Sequence, residues 1–72
     1  MGWNLEGLEV TARYLEEFPV QGLVVQSRVA LGGRVLHTIL LDAPIRVYGA
    51  VRERVILEHT QVEQVRSHHG TI

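Results

Sequence analysis

Along most of the chain apolar and polar residues alternate with period two, the pattern of strands that bury one face. From Leu8 to Tyr14, the residues Leu8, Val10, Ala12 and Tyr14 form one phase against Glu9, Thr11 and Arg13. A helical pattern competes here, because Leu5, Leu8, Ala12 and Leu15 recur at helical spacing among good helix formers such as Glu6, Glu16 and Glu17. The β-branched and aromatic residues Val10, Thr11 and Tyr14 decide for a strand. Pro19 is expected to close the segment, since it cannot donate to a ladder or continue a helix.

From Gln21 to Asp42 the pattern predicts a β-hairpin folded over Gly32-Gly33. If Leu31-Gly32-Gly33 is a three-residue loop with a glycine in the left-handed region, Ala30 pairs with Arg34 and the two arms come into phase. One face then carries Leu23, Val25, Val29 and Leu31 opposite Val35, Ile39 and Leu41, a credible core. The other carries Val24, Gln26, Arg28 and Ala30 opposite Arg34, Leu36, Thr38 and Leu40. A two-residue Gly-Gly loop would move the pairing by one and scramble both sets. The second face leaves Val24, Leu36 and Leu40 uncovered, and they are the expected contacts of an oligomer interface.

Asp42-Ala43-Pro44 is turn chemistry, with a new strand expected near Ile45. Downstream, one phase collects Ile45, Val47, Val51, Val55 and Leu57, and the other Arg46, Tyr48, Arg52 and Arg54. Gly49 and the charged Glu53 inside this run predict a bend, bulge or turn between Gly49 and Arg54. Glu58-His59-Thr60 breaks the strand, and Thr60 to Glu63 has capping-box spacing suited to one helical or 3-10 turn. Val62 and Val65 offer two more buried points, as a short closing strand or the end of that turn, and residues 67–72 read as a flexible tail. The expected fold is all-β: one domain over residues 1–72, five-stranded, an SH3-like small barrel with an OB-like barrel as the alternative.

The order Val55-Ile56-Leu57, a short turn, then Val62-Glu63-Gln64-Val65 resembles the last strand, 3-10 turn and closing strand of SH3-like barrels. In size and layout the chain is similar to the plasmid-borne type II dihydrofolate reductases, tetramers of such barrels with a central pore lined by a Gln-Ile-Tyr strand segment. The matching place here reads Val55-Ile56-Leu57. The pore motif is absent, and reductase activity is not carried over.

Composition narrows the reading further. Seventy-two residues form a thin core, and chains this short commonly need a staple. With no cysteine the staple is not a disulfide, which leaves a dimer or tetramer as the natural supplement. A net charge of −1 gives no global field for DNA or an anionic membrane. All seven basic residues are arginine, a choice that suits bidentate pairing with carboxylate or phosphate and also follows from a GC-rich codon supply. No cationic start leads into an apolar run, and no apolar segment nears the roughly 20 residues of a membrane span. A cytoplasmic protein is expected.

Arg46, Tyr48, Arg52 and Arg54, extended across the sheet by Arg28, form the candidate ligand-binding patch, since guanidinium groups beside an aromatic ring suit phosphate and base stacking. The alternative is a solvated face neutralised by Asp42, Glu53 and Glu58. His37 falls opposite Ser27 on the core face, where a histidine held by a serine is the commoner role and a base or metal ligand the rarer one. Asp42 is five residues farther along the strand, roughly 16 Å at about 3.3 Å per residue, too far to orient that ring as a triad member. His68-His69 lacks further ligands at zinc-site spacing. Trp3 is expected to cap the barrel end or join an oligomer contact. No catalytic residue, metal or cofactor is assigned. The functional expectation is a homo-oligomeric interaction module, more a binding protein than an enzyme. The alternatives are single-stranded nucleic-acid or polyanion binding, and an oligomeric enzyme with its site on a symmetry axis.

Overall fold

A computed structural model describes residues 2–66. The described residues form one antiparallel sheet of five strands, β1 (Glu9–Tyr14), β2 (Phe18–Val29), β3 (Val35–Val47), β4 (Ala50–Glu58) and β5 (Val62–Arg66), in the order β4-β3-β2-β1-β5. Two 3-10 turns, Leu31–Gly33 and His59–Gln61, complete the all-β fold. The sheet is open, with β4 and β5 as its edges. The expected tail at 67–72, with His68-His69, lies outside the described residues.

β1 follows the period-two phase: Val10 and Ala12 are buried, while Leu8 and Tyr14 pack against the core half-buried. Pro19 does not end this region. It is the second residue of β2, opposite Arg13, where the chain has already turned through Leu15 and Glu16 in the left-handed region.

The β2–β3 hairpin closes as its glycines predict. The Ala30 N–H donates to the Arg34 carbonyl at 2.7 Å, the Gly33 N–H to the Ala30 carbonyl at 3.1 Å, and Gly32 has φ 83°. Ser27 opposes His37 and Val29 opposes Val35 in the expected register. Then the register shifts. Gln26 pairs with Thr38 but Val24 with Ile39, so Val25 is an extra residue on β2. One extra residue exchanges the faces of everything beyond it. Val20, Gly22 and Val24 therefore face the core with Ile39 and Leu41, whereas Val25 lies exposed and Leu23 half-buried. Val24 is only 1% exposed, which corrects its place at an oligomer interface. Val29 and Leu31 are exposed for a separate reason: the hairpin tip runs past the end of the core, and Leu31 is 96% accessible.

Gly22 permits the close approach of β2 to β3. A Cβ built there would fall 2.2 Å from the Leu40 carbonyl oxygen, so no larger residue fits without moving backbone.

Asp42-Ala43-Pro44 does not break the chain into a new strand. β3 runs through it to Val47, with three more residues than β4 between the Leu40–Arg54 and Ile45–Arg52 pairs. The reversal comes later, at Tyr48-Gly49, where both residues have positive φ and Val47 pairs with Ala50. This is the backbone of a two-residue hairpin turn, for which Gly49 is suited and Tyr48 is not. The 3-10 turn after β4 begins one residue before the expected Thr60, and its reciprocal pair is Glu58 and Gln61, with the Glu58 N–H donating to Gln61 Oε1 at 3.0 Å. Val62 packs against the core, but Val65 is exposed on β5, and Trp3 remains partly exposed outside the core cluster. No helix among the described residues is long and apolar enough to cross a membrane.

Candidate interaction surface

The expected ligand patch is divided by the sheet. Arg46 reaches back to the β3–β4 turn, its guanidinium 3.5 Å from the Gly49 carbonyl. Tyr48 is 78% exposed, but its ring meets Phe18 edge-on at 5.7 Å, and its hydroxyl donates to Glu17 Oε1 at 2.8 Å. That bond, followed by the charge of Glu17, raises the phenol pKa above its usual value. Tyr48 thus braces the β1–β2 turn against the β3–β4 turn. Arg28 lies opposite Leu36, whose other neighbour is Glu58, at the far end of the sheet. There Glu58 pairs with Arg34. Only Arg52 and Arg54 come together, lining a shallow open cleft of about 530 Å³ with Leu40, Val51 and Glu53, where β3 bulges away from β4.

The apolar positions are arranged differently from the expected interface. Leu36 is half-buried between Arg28 and Glu58, and Leu40 is exposed between Leu23 and Arg54. On β4, Ile56 lies opposite Thr38, two residues from Leu40 on the same face, and is 55% exposed, while Val51, in the other phase, is 59% exposed and lines the cleft with Leu40. Sequence reasoning did not single out Ile56 as a surface contact: it assigned Val55 and Leu57 to the apolar phase and left Ile56, between them, in neither set. The period-two signal was nevertheless present, since Val55 and Leu57 are inward and Ile56 falls between them.

A polar chain crosses the core. The Leu5 N–H reaches the Ser27 hydroxyl oxygen at 3.1 Å, that oxygen lies 2.8 Å from His37 Nδ1, and His37 Nε2 lies 2.8 Å from His59 Nδ1. Glu6 covers the Ser27 end, its carboxylate accepting from the Ser27 N–H at 2.9 Å. His59 was not singled out from the sequence. It continues the inward phase of Val55 and Leu57 by one more step of two, and Leu57 is the residue opposite His37. His37 is fully buried, and burial, then the charge of His59, lowers its pKa below the usual imidazole value. With Ser27 buried and its oxygen engaged on both sides, the arrangement ties the core together and offers no exposed nucleophile. Asp42 takes no part; it accepts from the Gln21 side-chain amide at 3.1 Å. Among the described residues no three His, Asp or Glu side chains form a group able to hold a metal ion.

The fold and this surface define a small all-β protein with an exposed apolar edge. No protein-family model, curated protein or solved structure matches the chain.

Proposed function

We propose that this chain is a homo-oligomeric small β-barrel of the SH3-like kind, a cytoplasmic interaction module that self-associates on the side of the sheet bearing Leu40 and Ile56. The observation that carries the reading is the exposure of Ile56 on the edge strand β4, on the same face as exposed Leu40 of β3. A chain of 72 residues without cysteine gains most from covering such a surface with another copy of itself. Its net charge of −1 sets little repulsion between copies. Light scattering at micromolar concentration tests this directly. A dimer or tetramer is expected, and Ile56→Glu should shift it toward monomer; a strictly monomeric parent chain overturns the reading.

A second reading, binding of single-stranded nucleic acid or another polyanion, draws support from Arg52 and Arg54 sharing one cleft. It predicts that a labelled oligonucleotide binds at low salt, that affinity falls steeply as salt rises, and that Arg52→Glu abolishes it. No detectable binding at low salt removes it.

A further inference from the structure

We infer that two copies join by pairing their β4 strands antiparallel across a two-fold axis at Ile56, so that Arg54 of each copy faces Glu58 of the other. The inference rests on the self-association reading and specifies its geometry.

β4 is the less protected edge. It is nine residues long against five for β5, and among the described residues it pairs only with β3. Folded proteins blunt an edge with lysine or other charges, proline, a bulge or a short strand; β4 has neither lysine nor proline, and its charges, Arg52, Glu53, Arg54 and Glu58, are of both signs and can complement those of a second copy. On β5, by comparison, Glu63 is already engaged by Arg13 at 3.1 Å.

Symmetry and charge then select the register. In an antiparallel pair directly opposed residues point to the same face. A two-fold relating two antiparallel strands runs perpendicular to their sheet, so it must pass through a residue paired with itself. Placing the axis at Arg52 or Arg54 sets an arginine against its own copy. Placing it at Glu53 sets the glutamate against itself and Arg52 against Arg54. At Val55 the charges separate, but Glu53 is set against Leu57 and Arg54 against Ile56. At Ile56 every pair matches: Ile56 with Ile56, Val55 with Leu57, and Arg54 with Glu58 at both ends. The Glu58 carboxylate already meets Arg34 and the Gln61 backbone N–H, and with about four lone-pair sites it has room for a second guanidinium. Val55 and Leu57 are both core residues, so both cores fall on one face of a continuous ten-stranded sheet. Ile56 is more than half exposed in one copy and is covered by its mate.

The chain has no cysteine, so single cysteines report the register without background. Directly opposed Cβ atoms lie about 4.5–5.5 Å apart, within reach of a disulfide after small adjustment. Under mild oxidation Ile56→Cys should form a covalent dimer at least ten times faster than Val51→Cys, which is equally exposed, or Leu40→Cys, which reports face-to-face packing. As an independent readout, Arg54→Glu should raise the dimer dissociation constant at least tenfold by opposing two carboxylates, while Arg52→Glu, outside the paired segment, leaves it within twofold. A dimeric chain in which Leu40→Cys or Val51→Cys cross-links as fast as Ile56→Cys, or in which Arg52→Glu and Arg54→Glu act alike, overturns this geometry and leaves self-association standing. A monomeric parent chain removes both.

Discussion

The Ser27 hydroxyl oxygen lies 2.8 Å from Nδ1 of His37, directly across the β2–β3 ladder, and forms the polar centre of an otherwise apolar core. Because Leu5 also donates its N–H to that oxygen, one hydroxyl holds the chain before β1 and the ring on β3 together. Ser27→Ala leaves a buried amide and a buried imidazole nitrogen short of a partner, and the expected loss is about 1–3 kcal/mol. Urea denaturation measures it; a loss no larger than that of an exposed substitution would show the bond to be dispensable.

The same ring makes stability depend on pH. Burial, and after it the charge of His59, lowers the folded-state pKa of His37 below the ordinary value of 6.5. The unfolded chain therefore takes up the proton more readily than the folded one, and stability rises with pH wherever it does so. The contribution is complete above about pH 6.5 and drains away as pH falls from there through the lower folded-state pKa. The urea midpoint should drop between pH 7 and pH 5, and His37→Gln, which keeps hydrogen-bonding capacity and removes the titration, should flatten that slope. An unchanged slope in the variant would assign the pH dependence to other groups.

Gly22 is a steric requirement of the sheet. Its missing Cβ would lie 2.2 Å from the Leu40 carbonyl oxygen and 2.9 Å from Ile39 Cγ2, and the first of these is backbone that cannot rotate away. Gly22→Ala should cost about 1–3 kcal/mol through overpacking, despite alanine's lower conformational entropy when unfolded. Gly2, with open space around it, supplies the comparison: Gly2→Ala should leave thermal stability unchanged.

The bulge at Val25 reverses the faces that simple alternation gives Val24 and Val25. Val24→Ala removes buried methyl groups from the centre of the core and should cost about 2 kcal/mol. Val25→Ala removes the same methyl groups from the exposed bulge position and should stay within about 0.5–1 kcal/mol of the parent. Equal losses in the two variants would contradict the register beyond Val25.

The bulge also shows where reading the chain as a pattern stops working. Close to the Gly32-Gly33 loop the turn chemistry pins the register, and the Ser27–His37 pair follows from it residue by residue. Past Gln26 the sequence carries no local mark of the extra residue, because Leu23, Val24 and Val25 are all apolar and either phase could face the core. Likewise Asp42-Ala43-Pro44 has the composition of a turn, yet β3 absorbs it as a bulge, and the reversal falls at Tyr48-Gly49, where Tyr48 gains Phe18 and Glu17 as neighbours. The arginine patch is divided for a related reason. Its members share a sequence phase, but the three-residue excess on β3 and the turn at Tyr48 send them to different parts of the surface.

By itself the sequence determined an all-β chain of five strands, its hairpin loop and local register, the serine–histidine pair and the short turn before the last strand. Those features depend on period-two patterning, turn residues and neighbours near in sequence or tied by a tight loop. Tertiary structure decided the rest: which face Val24 takes, that His59 completes the polar chain from 22 residues away, and that Ile56 rather than Val24 stands exposed on the surface. These depend on bulges and on which strand is left at the edge, and both are set by how the whole sheet packs over one small core.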